Sequence, residues 1–162
     1  MALGAVSPLC ACTTLIPGTM PHDLHRDAVA LEHDRCDPTP VDPRLYGTDI
    51  VQKVEPYYRY VMGGPNGREA RFAGAELHVR PLPGVTAELL ERGLSCRAAQ
   101  LVLGHAEPAP NEPYFLPDGW VKVEVRSGGG SFVVSLSGED WDRGHTIYAR
   151  ARAFVSRPPP AP

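Results

Sequence analysis

Trp120-Val121-Lys122-Val123-Glu124-Val125-Arg126-Ser127-Gly128-Gly129-Gly130-Ser131-Phe132-Val133-Val134-Ser135-Leu136-Ser137 decides the fold class. Val121, Val123 and Val125 alternate with Lys122, Glu124 and Arg126, the period of a strand with one face on a core. Ser127 to Gly130 turns the chain, and Phe132, Val134 and Leu136 resume the alternation on the way back. The stretch reads as a β-hairpin. The glycine run joins two strands, opens no helix and lacks a following Lys-Ser/Thr, so it reads as a turn and not as a phosphate cradle.

Upstream, residues 73–80 alternate in the same way. Ala75, Leu77 and Val79 face inward, and Glu76, His78 and Arg80 face outward. Pro81-Leu82-Pro83-Gly84 breaks the chain, and Thr86 suits the N-cap of a helix over 87–103 with Glu88 near its positive end. Leu90, Leu94 and Leu101 form one stripe on that helix, and Leu89, Cys96 and Leu103 form a second, so it packs on a wide arc. Gly104 suits its end. Downstream, Ser137 is the expected cap of a last helix over 139–155. Its core face is expected to carry Trp141, Gly144, Tyr148, Ala151 and Val155.

From residue 73 the order is strand, helix, strand, strand, helix, which matches most of a ferredoxin-like split βαβ unit. Residues 49–62 are rich in Val, Ile and Tyr and add extended chain, which Pro56 divides into two pieces or confines to an edge. Asn66-Gly67 signals a turn after it. Residues 22–36 read as a further helix with Leu24, Ala28 and Leu31 on one face, Thr19 and Pro21 at its start and Asp37-Pro38 at its end. The expectation is a two-layer α+β sandwich, a ferredoxin-like βαββα arrangement with an extra N-terminal helix and an edge strand. Its outer sheet face carries Glu76, His78, Arg80, Lys122, Glu124 and Arg126, either as a solvated surface or as a polar docking surface.

The composition agrees with one domain. The chain has 162 residues, 43% of them hydrophobic, enough for a core. Proline is abundant at 18 residues, but it clusters. It leaves the windows 22–37, 44–55, 66–80, 84–107 and 118–157 free, and regular structure belongs there. Residues 1–19 then form a signal-like or unstructured start, 20–156 the domain, and 157–162 a proline-rich tail. A net charge of −3 argues against partners held by bulk electrostatics, such as a nucleic-acid backbone or an acidic membrane surface. A ferredoxin-like sheet that binds RNA would also need aromatics on its open face, where charged residues stand here.

The four cysteines bear on compartment. Leu9-Cys10-Ala11-Cys12 has the form of a bacterial lipoprotein signal end, with Cys12 the residue to be lipidated. The apolar stretch before it is short and lacks a positive start, so it fits the tail of a longer signal. The alternative is an apolar N-terminus with two incidental cysteines. Cys36 and Cys96 pair in an oxidising compartment, and otherwise remain buried thiols. A bridge between them restricts the unfolded chain by roughly 4 kcal/mol.

One resemblance is carried by Val54-Glu55-Pro56, the following glycine turn, Gly74-Ala75-Glu76-Leu77-His78-Val79-Arg80-Pro81-Leu82-Pro83-Gly84-Val85-Thr86-Ala87-Glu88, and Cys96. Over about residues 20–155 the chain resembles a group of uncharacterised exported proteobacterial proteins. The resemblance implies export and a single domain, and it carries no activity. That group has a Cys-His pair where this chain has Cys96-Arg97, which weakens a metal or redox role for this helix.

His22, His25, His33 and Cys36 form the most suggestive constellation. On a helix they share an arc of about 80°, and imidazole and thiolate suit zinc or copper. His25 and His33 lie about 12 Å apart along the axis, so each i, i+3 pair is half a site, to be completed by His78, His105 or His145. Cys96 and His105, about 13 Å apart, do not meet as nucleophile and base, and no Gly-x-Ser-x-Gly elbow occurs. No cofactor motif emerges. The leading expectation is a small exported envelope protein, a non-enzymatic binding or structural module stapled by Cys36–Cys96. Its partner is a protein or small ligand of the envelope, and it meets the membrane only through a lipid on Cys12. The alternative is a periplasmic copper- or zinc-handling protein using the first helix.

Overall fold

A computed structural model of the chain describes residues 23–37, 41–63 and 67–156. Expectations for Cys10, Cys12, Thr19, Pro21, His22, Asn66 and the proline tail lie outside these residues. Among the described residues the architecture is α+β: a four-stranded antiparallel sheet with three α-helices. The strands are β1 (Val51–Met62), β2 (Arg68–Val79), β3 (Lys122–Gly128) and β4 (Ser131–Ser137), in spatial order β1-β2-β4-β3. The helices are α1 (Leu24–Arg35), α2 (Ala87–Val102) and α3 (Trp141–Val155).

Local chemistry sets the helix boundaries. Each N-cap side chain accepts a backbone N–H that the first turn leaves unpaired: Asp23 from Arg26, Thr86 from Leu89 and Asp140 from Arg143. Two of these caps correct the sequence reading. Asp23 starts α1. Ser137 belongs to β4, and Asp140 caps α3, because Gly138-Glu139 bends the chain out of the sheet first.

Two further elements went unread. Single-turn 3-10 helices at Pro43–Leu45 and Thr48–Ile50 lead into β1 and bury Leu45 and Ile50. β1 itself is one continuous strand. It tolerates Pro56 because it lies at the sheet edge, where no outer neighbour needs that N–H.

The core lies between one sheet face and the helices. Ala75, Leu77 and Val79 of β2, Val134 and Leu136 of β4, and Val123 of β3 meet Leu90 and Leu94 of α2 and Ile147 and Ala151 of α3. α3 lies on β2, α2 lies on β3, and α1 packs along α2. The face of α3 is rotated from the expected stripe. Gly144 and Ala151 are buried as expected, but Ile147 and Phe154 supply the bulk, while Trp141 is 61% exposed. Trp141 sits in the first turn and stacks on His145, with ring centroids 5.2 Å apart.

Two glycines permit close approach. A Cβ at Gly74 would stand 2.1 Å from the carbonyl oxygen of Leu136, and one at Gly144 would stand 2.7 Å from the carbonyl of Ala73.

The connection after α2 is held from inside. Arg97 and Glu112, both buried, bond through two parallel contacts of 2.8 and 2.9 Å. Arg97 also donates to the Glu107 carbonyl, and Glu112 accepts from the Ala109 N–H. The sheet edge at β3 is blunted by Glu91, which accepts the Val125 N–H at 2.7 Å.

Cys36 and Cys96 form a disulfide, with Cα atoms 5.6 Å apart. It ties the end of α1 to the middle of α2.

Candidate functional site

The sheet face away from the helices gathers the ionisable side chains that alternation points outward. Antiparallel pairing puts Glu55 of β1 directly opposite Glu76 of β2, and Lys53 opposite His78. On the other flank of β2, Glu76 faces Ser135 of β4, which faces Glu124 of β3. Like charges directly opposed across two strands are destabilising unless something positive lies between them.

Here His78 lies between the two carboxylates. Its Nε2 lies 2.8 Å from Oε2 of Glu55 and 3.6 Å from Oε1 of Glu76. The far oxygens are held by cations: Lys53 Nζ is 2.7 Å from Glu55 Oε1, and Arg126 Nη2 is 2.6 Å from Glu76 Oε2. The hydrogen bond from Lys53 holds the Glu55 carboxyl below the usual carboxylate range; partial burial opposes this, and the contact with His78 adds to it. The three side chains are half-buried rather than waving in solvent.

Two carboxylates and one imidazole therefore converge, each with a potential ligand atom within 4.8 Å of the others; a cation bound there would take the place of the proton that His78 and Glu55 share. Ligands at about 2.1 Å in a tetrahedral zinc site lie about 3.4 Å apart, so small rotamer changes bring them to a common ion. Lys53 and Arg126 would orient the carboxylates from behind, the outer-shell role that fixes ligand geometry. A nitrogen–oxygen donor set suits a borderline divalent cation such as zinc.

The first-helix constellation does not converge in this way. His25 and His33 are exposed on α1, and the His33 Nδ1 lies 2.9 Å from the neighbouring Asp34 carboxylate. The sulfur of Cys36 is bonded to Cys96 and offers no thiolate. His22, like the lipidation candidate Cys12, is outside the described residues.

Of the three histidines considered as completing ligands, His105 pairs with Glu32 at 3.1 Å and His145 stacks on Trp141. Only His78 enters a cluster, and with partners that sequence reasoning missed. The outward positions of Glu76 and His78 were legible. Glu55 was not, because its place depends on the β1–β2 register.

Cys96 is buried in its disulfide, so it is no nucleophile toward His105. Arg97, the residue after Cys96, is occupied by Glu112. Gly129 and Gly130 adopt positive φ between β3 and β4, as a hairpin turn requires.

Among the described residues no helix is long and apolar enough to cross a membrane. Comparison with protein families, curated proteins and solved structures finds no match to this chain.

Proposed function

We propose that the protein is a small exported binding module of the cell envelope, without catalytic activity of its own, whose open sheet face takes a divalent transition-metal cation. The observation that carries this reading is the position of His78 Nε2 between the Glu55 and Glu76 carboxylates. It keeps the metal-handling alternative but moves the ligands from α1 to the sheet.

The disulfide is compatible with an oxidising compartment and supports export. Lipidation at Cys12 and kinship with the exported proteobacterial group belong to the same proposal. So does the ferredoxin-like layout. In it β2, α2, β3, β4 and α3 make up the βαββα unit, and β1 stands at the sheet edge beside β2, the place such a fold gives its last strand.

Calorimetric titration of the metal-free protein with zinc tests the site. One ion per chain is expected, with loss of that binding in His78→Ala and at least about tenfold weakening in Glu55→Gln or Glu76→Gln, following the usual effect of removing a ligand or its support. Undiminished stoichiometry in His78→Ala would reject the site, and retention only when His25 and His33 are present would return it to α1.

A further inference from the structure

A cleft of about 320 Å³ opens between the end of α1, the first 3-10 helix and α2, on the helix side and away from the sheet-face cluster. The Cys36–Cys96 disulfide lines it, and Val41, Leu45, Val85 and Leu89 supply apolar wall. Gly93 lets Leu45 approach α2 closely, since a Cβ there would stand 2.7 Å from Leu45 Cδ1.

Three guanidinium groups border this apolar surface. Arg44 is committed to Asp42, which it grips through Nε and Nη2 at 2.9 and 2.6 Å. Arg35 and Arg92 make no hydrogen bond or ion pair with any described residue. The carboxylates on the lining are Asp37 and Asp42, so the cleft is net positive in a chain whose net charge is −3.

Guanidiniums with no partner among the described residues, beside an apolar wall, suit a ligand with one anionic head and a nonpolar body. The head takes the charge-assisted fork that arginine offers to carboxylates. The body gains by leaving water. The volume lies at the small end of ligand pockets.

We propose that this cleft binds a small amphipathic carboxylate, its head held by Arg35 and Arg92 and its hydrocarbon part laid against Val41, Leu45 and Leu89. This site is separate from the cation site and stands or falls without it.

The test uses the intact protein and the fluorescent sulfonate 8-anilinonaphthalene-1-sulfonate as probe, with decanoate as competitor and decanol as its uncharged counterpart. Saturable binding of one probe per chain is expected, with displacement by decanoate and little by decanol, and weakening as salt is raised. Arg35→Gln with Arg92→Gln should weaken probe and decanoate at least about tenfold, while Arg68→Gln, remote from the cleft, leaves both unchanged. Circular dichroism and a count of free thiols establish that the double variant keeps its fold and disulfide. The proposal is overturned by non-saturable binding, by equal displacement by decanol, or by unchanged affinity in the folded double variant.

Discussion

Arg97 of α2 and Glu112 of the following connection form a buried two-pronged ion pair, with Nε and Nη2 of the arginine on separate carboxylate oxygens at 2.8 and 2.9 Å. The Tyr46 ring lies under the guanidinium, 4.5 Å from ring centroid to Cζ. Burial works against the Arg97 charge, but the Glu112 hydrogen bonds and charge outweigh it and raise the arginine's pKa. Glu112 also presents its backbone carbonyl to Arg150 of α3 at 3.0 Å. One pair therefore joins α2, the loop and α3. Arg97→Ala or Glu112→Ala leaves its partner's charge buried alone and is expected to cost about 3–5 kcal/mol. Urea denaturation measures this. A cost near that of an exposed pair, under about 1 kcal/mol, would contradict the assignment of this pair as the loop's anchor.

The disulfide holds an element with little core of its own. In α1, Ala28 is the buried residue, and Glu32 reaches His105. Replacing Cys36 and Cys96 with serine is expected to cost roughly 4 kcal/mol and to open α1 first. Limited proteolysis should then cut within residues 24–35 while the sheet and α2 resist. Thiol titration of the denatured, unreduced parent should find Cys36 and Cys96 blocked. Free thiols at both positions would refute the bridge.

At Gly144, α3 lies close against the β2 backbone. Gly144→Ala places a methyl against backbone, the Ala73 carbonyl, which cannot rotate aside as a side chain can. The helix must shift, and an expected loss of about 1–3 kcal/mol replaces the gain that alanine normally brings to a helix interior. A lowered melting temperature checks this, and a raised one would show that α3 has room to move.

Acid should weaken the fold below about pH 4–5. Asp42, Glu55 and Asp140 all have depressed pKa values. The first causes are the Arg44 side-chain hydrogen bond for Asp42, the Lys53 hydrogen bond for Glu55, and the Arg143 backbone N–H for Asp140. A carboxyl with a lower pKa folded than unfolded adds stability above its unfolded value. That stability is lost as pH falls through the folded one. Each of these side chains keeps 38–49% of its surface in solvent, so each effect is small and salt-sensitive. Melting temperature measured from pH 6 to pH 3 should decline, and less steeply in Asp140→Asn. A parallel decline in that variant would remove Asp140 from the account.

Much of the fold was legible because its signals are local. Alternation in β2 and β3, the Thr86 cap and the stripes of α2 depend on neighbours a few residues away, and the structure keeps them; β4, an inner strand, is buried on both faces, with Val133 and Ser135 covered as well as Phe132, Val134 and Leu136. The misread start of α3 has a local rival: Ser137 is a good cap residue, but strand pairing with Gly74 and Lys122 claims it. Trp141 was misassigned to the core because periodicity reports which residues share a helix face, while the orientation of that face is set by what the helix rests on.

The sequence by itself determined the element types, the charged outer face of the sheet and the two cysteines able to bridge. Only the tertiary structure decided the partners. Glu55 meets His78 across 23 positions, and Arg97 meets Glu112 across 15. Each meeting follows from strand register or from the path of a loop, and these are settled by packing of the whole core rather than by the residues on either side. The same holds for the cleft beside the disulfide, where Arg35 and Arg92 stand on different helices, α1 and α2, brought together when those helices pack.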